Sequence, residues 1–159
     1  MISDWILPRK KLLLDANLLV VVTVGLVAES IFGSGPVSGY RYEDFLFLRR
    51  LIAACEETVV TPYILAEVNS LLNKTGFARK DCRSVFAEAI IPAVTEHYIE
   101  SRELALNSYT MREFGLADTS IIHLADPTVL ILSADGPLVG YLKGKHQPAL
   151  HYEEIRHLA

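Results

Sequence analysis

The sequence predicts an α/β fold, a three-layer α/β/α sandwich around a mostly parallel sheet of about five strands. Three observations lead there. The runs Leu12-Leu13-Leu14 and Val129–Leu132 are short and uniformly apolar, as buried parallel strands are. One or two helical segments separate each strand candidate from the next, the alternation that parallel sheets require. The chain has 159 residues, 51% hydrophobic and 21% charged, which suits one domain spanning 1–159 with a real core and argues against disorder.

The elements follow in order. Leu12–Leu14 is the first strand. Leu18 to about Ser30 reads as a buried helix, although the β-branched run Val20–Val24 weakens its helical propensity. The segment Gly33-Ser34-Gly35-Pro36-Val37-Ser38-Gly39 reads as a flexible loop. Tyr42–Glu57 is helical, with Phe45, Leu48, Leu51, Ile52 and Cys55 at three- and four-residue steps and Arg49 and Arg50 facing out. Thr58–Val60 is a second strand. Thr61 then caps a helix with Pro62 at its first position, running to about Lys74 and stopped by Gly76. Arg79–Ala93 is another helix that ends or kinks near Pro92. Tyr98-Ile99 reads as a brief strand and Arg102–Phe114 as a helix closed by Gly115. Leu116–Ala125 is helical, Asp126-Pro127 a turn, Val129–Leu132 the clearest strand and Pro137–Leu142 a short helix. A last strand is expected near Ala149–Tyr152. No internal repeat, low-complexity tract or linker divides the chain.

The net charge of −4 and pI of about 5.7 count against a protein that grips nucleic acid by bulk positive charge, while leaving room for a local basic rim. Cys55 and Cys82 are too few for a disulfide framework and lack zinc spacing, so both read as buried free thiols. Met1–Lys11 does not have a signal-peptide layout. Leu18–Ala28 falls short of the ~20 residues that span a bilayer. A soluble cytoplasmic protein with no membrane partner is expected.

Four acids carry the chemistry: Asp15, Glu67, Asp118 and Asp135. Asp15 follows three leucines, and a lone carboxylate buried there costs several kcal/mol unless capped, paired or bound to metal. Its ordinary role is N-cap of the next helix, with Asn17 assisting. Glu67 falls at the edge of the apolar arc formed by Ile64, Leu65, Val68, Leu71 and Leu72, where its carboxylate reaches the rim of the core. Asp118 sits early in a helix, a favoured place for an acid. Asp135 precedes Gly136-Pro137, the setting of a turn or cap, and Ser133 either donates to a ligand or caps the strand end. Ligands of parallel sheets bind beyond the carboxyl ends of the strands, where Asp15 and Asp135 lie. If the fold gathers all four, their repulsion calls for a divalent cation, usual equipment for phosphodiester cleavage.

At these residues the sequence resembles the PIN-domain family of metal-dependent nucleases, which includes toxins of toxin–antitoxin pairs. The resemblance spans roughly Leu12 to Tyr152. It rests on Leu12-Leu13-Leu14-Asp15-Ala16-Asn17, Thr61-Pro62-Tyr63-Ile64-Leu65-Ala66-Glu67-Val68, Gly115-Leu116-Ala117-Asp118-Thr119-Ser120-Ile121 and Leu132-Ser133-Ala134-Asp135. It implies an endoribonuclease in which Asp15, Glu67 and Asp118 hold Mg2+ or Mn2+ and Asp135 completes the site, with Asn17 and Ser133 in support. It further implies an RNA substrate, an antitoxin protein that fills the acidic groove, and room for a homodimer. The chain departs from the family at Thr119, where a small apolar residue is common, and at Pro137, where many members carry an acid.

Two rivals stand beside this reading. One is a non-catalytic PIN-like scaffold that binds protein or RNA. The other is a phosphatase with a nucleophilic Asp15, for which Asn17 supplies no second acid. The five histidines form no constellation: His123 reads as a core or boundary residue, and His146, His151 and His157 as exposed. Arg41, Lys74, Arg79, Lys80 and the Lys143-Gly144-Lys145-His146 cluster are candidate backbone contacts whose ordinary role is a solvated surface.

Overall fold

A computed structural model describes residues 10–159, so most of the Met1–Lys11 reading lies outside the described residues. Five strands form one all-parallel sheet in the order β3-β2-β1-β4-β5. They are β1 (Lys11–Leu14), β2 (Glu57–Val60), β3 (Thr95–Glu96), β4 (Val129–Ser133) and β5 (Ala149–His151). The helices are α1 (Ala16–Val27), α2 (Tyr42–Ala54), α3 (Pro62–Leu72), α4 (Arg79–Val85), α5 (Ser101–Ala105), α6 (Ser108–Leu124), α7 (Gly136–Gly144) and α8 (Tyr152–Ile155).

Side chains of a strand alternate between faces, so a strand buried at every position must be covered on both. Leu12, Leu13 and Leu14 are fully buried, as are all five residues of β4 in effect, from Val129 at 5% exposure to Ser133 at 0%. Helices therefore cover both faces, the three-layer sandwich the apolar runs predict. The order of strands has a consequence for function. From β1 the chain builds outward to β2 and β3 on one side, then returns to lay β4 and β5 on the other. The switch in direction falls between β1 and β4, and ligands of open parallel sheets ordinarily bind beyond the carboxyl ends of the strands at such a point.

Several predicted elements shift for local reasons. The second helix ends at Ala54 rather than Glu57, because Glu56 and Glu57 donate their backbone N–H groups to Lys10 O (2.9 and 3.3 Å) and enter β2. The Gly33–Gly39 stretch is not an irregular loop: it contains a 3₁₀ turn at Gly35–Val37 with Val37 fully buried. Arg79–Ala93 passes from α4 through a π turn at Phe86–Ile90 to a 3₁₀ turn at Ile91–Ala93. The strand expected at Tyr98-Ile99 is instead Thr95–Glu96, which pairs with Val59 and Val60. Ile99 is buried without pairing, and its carbonyl accepts the Tyr63 hydroxyl, so its apolarity reflects packing. The helix read at Arg102–Phe114 is broken at Asn107, whose side chain accepts the Thr110 N–H at 3.2 Å and starts α6. Cys82 is buried as expected, whereas Cys55 at the end of α2 is only partly so.

One acid the sequence does not single out is fully buried. Asp44, in the first turn of α2, accepts the Arg41 N–H (2.7 Å), the Tyr152 hydroxyl (2.7 Å) and both arms of Arg156 (3.0 and 2.8 Å). The Arg156 guanidinium also lies over Tyr40 and Tyr152, 5.6 and 6.0 Å from their ring centroids. Burial pushes the Asp44 carboxyl upward, but these donors outweigh it and hold the group below its ordinary value. The cluster ties the start of α2 to α8. Among the described residues, no helix is long and apolar enough to cross a membrane.

Candidate active site

Asp15 leaves β1 and becomes the N-cap of α1, accepting the Leu18 N–H on Oδ1 at 2.9 Å. Its other oxygen, Oδ2, accepts the Ser133 hydroxyl at 2.5 Å and the Ala134 N–H at 2.7 Å, both from the end of β4. Asp15 is only 4% exposed, so these three donors replace most of its hydration. A carboxylate offers about four lone-pair directions, which leaves roughly one for a further partner. Asp135 repeats the motif on the neighbouring strand: it caps α7 through Leu138 N–H (2.9 Å), and its own N–H donates to Ser133 Oγ at 2.9 Å. Ser133 thus links the two aspartates, receiving from Asp135 N–H and giving to Asp15. The expected capping roles of Asp15 and Asp135 are both present here.

Asp118 reaches the same end by another route. Within α6, Gly115 adopts φ 83° and ψ −177°, a conformation essentially restricted to glycine, and the helix breaks there. Asp118 lies three residues after the break, in the first turn of the new segment. Its carboxyl is pushed up to about 7, first by desolvation and then by the charges of Asp135, Glu67 and Asp15. Glu67 is exposed on α3, at the rim as its helical position predicts. Desolvation and the charge of Asp15 raise it above its ordinary value. Asp15 is raised by burial, only partly countered by its three hydrogen bonds, with Asp135 adding repulsion. Asp118 thus feels the charges of the other three acids, Glu67 that of Asp15, and Asp15 that of Asp135.

That electrostatic convergence is not coordination. Among the described residues, no three His, Cys, Asp or Glu side chains are gathered tightly enough to enclose a metal ion. The expected four-carboxylate ligand set is not preassembled. The donor chemistry nonetheless suits a hard dication: every candidate is an oxygen, and no described Lys, Arg or His is in ion-pair contact with any of the four. Mg2+ in particular keeps several waters and commonly takes only one or two carboxylates, so a loose set is compatible with it.

The supporting residues divide. Ser133 is fully buried and central, whereas Asn17 is exposed in the first turn of α1, with no side-chain hydrogen bond among the described residues. Thr119, at the position of departure from the family pattern, is buried with its hydroxyl unpartnered. Its neighbour Ser120 bonds Thr61, the cap of α3, at 2.7 Å and so fastens α6 to α3.

Two residues near the site escape a sequence reading. Tyr40 is half-buried, and its hydroxyl is pushed up to about 12 by burial first and by Asp15 next. It exits a glycine-rich segment with no periodicity to mark it. His151, expected on the surface, is partly buried: Nε2 lies 3.0 Å from Ala134 O, and Nδ1 accepts the Glu153 N–H at 3.2 Å. It braces the backbone that carries Ala134 N–H to Asp15. His123, by contrast, is exposed rather than at the core boundary, 3.7 Å from Glu103. Comparison with family models, curated proteins and solved structures returns no match for this chain.

Proposed function

We propose that the chain is a Mg2+- or Mn2+-dependent endoribonuclease resembling PIN-domain nucleases, hydrolysing RNA phosphodiester bonds at the carboxyl end of β1 and β4. The observation that carries this reading is the placement of Asp15 and Asp135 at the adjoining ends of β1 and β4, joined through Ser133, with Glu67 and Asp118 near enough to be perturbed by them. Asp15, Glu67 and Asp118 are all held above their ordinary values, with mutual repulsion contributing at each or from Asp135, and no described cation offsets them. A fold that keeps such a group at a topological switch point bears an electrostatic cost that a bound dication removes.

Asp15, Asp118 and Glu67 would hold the ion, with Asp135 extending the site. Bound there, the metal supplies Lewis acidity toward a phosphate oxygen and a water of lowered pKa. The chain's own residues do the positioning. Ser133 Oγ and Ala134 N–H fix Asp15 in one orientation, so its remaining lone pair points one way. Asp118, pushed up to about 7 by burial and its acidic neighbours, would have to give up its proton to hold the cation. Glu67, exposed on α3, is the adaptable member. An antitoxin partner would compete for the same acids with a basic side chain.

The test is incubation of labelled RNA with Mn2+ for the wild type, Asp15→Asn and Asp118→Asn. Loss of cleavage by more than about 100-fold in each variant is expected, beyond the 10- to 100-fold cost of removing a mere supporting partner. Cleavage that survives both substitutions overturns the assignment. The absence of a gathered ligand set favours one rival, a non-catalytic scaffold binding protein or RNA. Thermal denaturation with and without Mn2+ separates the two, since a ligand of the native state must raise the midpoint.

A further inference from the structure

Beside the acid end, α6 and α7 share an aromatic strip that the nuclease reading does not use. Tyr109 and Tyr141 stack with centroids 6.0 Å apart at 29°, and Phe114 meets Tyr141 at 5.3 Å and 59°. Cations lie over the tyrosines: the Arg112 guanidinium is 5.8 Å from the Tyr109 centroid and Lys145 Nζ 5.7 Å from that of Tyr141. Packing explains part of this, because Phe114 and Tyr141 are half-buried between the helices. It does not explain Tyr109, which is 51% exposed at the outer end of the stack.

We propose that the exposed ring of Tyr109, backed by Tyr141 and flanked by Arg112 and Lys145, is a stacking surface for an unpaired base of a single-stranded nucleic acid whose backbone leads to the acid end of the sheet. Every base has a π face, and exposed aromatic rings interleaved with cations are the usual means of holding a single strand without reading its sequence. Position supports the direction. Phe114 directly precedes the Gly115 break that leads to Asp118, and Tyr141 lies six residues after Asp135 on α7, about 9 Å along the helix axis. The Tyr141 side of the strip is thus about two helical turns from a proposed metal ligand.

Charge supports the occupant. A polyanion approaching four carboxylates in a chain of net charge −4 needs a local cationic hold. Lys145 is exposed and has no acidic partner among the described residues. Arg112 pairs with Glu113 at 2.9 Å, but both are solvent-exposed, and such a pair is worth little and easily exchanged for a phosphate. Lys143, held by Glu154 at 2.7 Å, is the less available neighbour. The strip's direction rests on the nuclease reading, whereas its affinity does not.

Fluorescence anisotropy with a short fluorescein-labelled single-stranded RNA, in EDTA, tests the proposal. The duplex of the same RNA serves as the comparison. The wild type should prefer the single strand, because duplex bases hide their faces. Tyr109→Ala should weaken binding by about 5- to 150-fold, the range for losing one stacked base. Tyr109→Phe should retain affinity, since the ring and not the hydroxyl does the stacking. Lys145→Gln should reduce the slope of log affinity against log salt by about 0.7. Equal binding by wild type and Tyr109→Ala, equal affinity for duplex, or equal losses in Tyr109→Ala and Tyr109→Phe would each overturn it. The latter outcomes point to a protein partner or to a purely packing role. EDTA removes metal chemistry from the measurement, so failure of the nuclease reading leaves this result intact. Failure of the strip likewise leaves the Asp15→Asn cleavage result intact.

Discussion

Asp44 and Asp15 are both buried carboxylates at the first turn of a helix, and the chain treats them in opposite ways. Asp44 receives a guanidinium fork, a phenol and a backbone amide, and its proton affinity falls below the ordinary range. Asp15 receives a hydroxyl and two backbone amides but no described cation, and burial first, with the charge of Asp135 beside it, raises its proton affinity. Neutral donors can orient a carboxylate, but only an opposite charge makes its ionised form comfortable in a desolvated place. The first acid is a finished structural joint. The second is an incomplete electrostatic circuit, which is why the proposed function is located there.

The comparison can be broken or sharpened by four measurements. The largest effect is expected for Asp44→Ala, which leaves the buried Tyr152 hydroxyl without its acceptor and Arg156 with only Glu153 and the Gly39 carbonyl, and should destabilise the fold by about 3 kcal/mol in urea denaturation. Asp118→Asn in EDTA at pH 8 should instead leave stability unchanged or raise it. A similar loss in both variants would abolish the distinction. Next, Mn2+ at about 100 times its dissociation constant should stabilise the wild type by ~2.7 kcal/mol. That gain should be smaller at pH 5.5, where protons occupy the same oxygens. Third, Ser133→Ala removes the hydroxyl that orients Asp15 and should weaken Mn2+ affinity by about 10- to 100-fold in a calorimetric titration.

The smallest effect concerns pH. The folded value of Asp118, about 7, exceeds the ordinary 3.8, so the native state holds a proton that the unfolded chain releases. Its contribution is fully present below about 3.8 and is lost as pH rises through about 7. Asp15 and Glu67 act in the same sense. The depressed Asp44 acts oppositely and loses its contribution only in acid. Melting midpoints in EDTA between pH 5.5 and 8.5 should therefore fall more steeply for wild type than for Asp118→Asn. Parallel curves would mean that Asp118 sits in no unusual field.

Much of the sheet is legible in the sequence, because strands buried on both faces must be apolar at every position, as β1 and β4 are. Caps are legible too: Thr61-Pro62 and the strand-end aspartates announce helix starts through local geometry alone. Asp15 and Asp135 stand out by the same logic. What the sequence hides is non-local. Asp44 meets Arg156 across 112 positions, and no periodicity links a helix start to the last turns of the chain. The burial of Gly25 against the Phe45 ring, where a methyl would overlap, is likewise a meeting of two helices and not a property of either. The two-residue β3 is too short for any pattern to mark. The ring stack of Tyr109 on Tyr141 belongs to the same class, since 32 positions separate residues that touch only once α6 and α7 are docked.

The strand order also sets a timetable. β1 occupies the middle of the sheet and is made first, yet its right-hand neighbour β4 follows only after more than a hundred residues. The bond from Ser133 to Asp15 spans 118 positions. A ribosome extending this polypeptide exposes Asp15 early and Ser133 late, and domains generally acquire their native pairings as whole units during synthesis. The bond between Ser133 and Asp15 is accordingly missing from the nascent chain and forms only when the final third has emerged and slotted alongside the oldest strand.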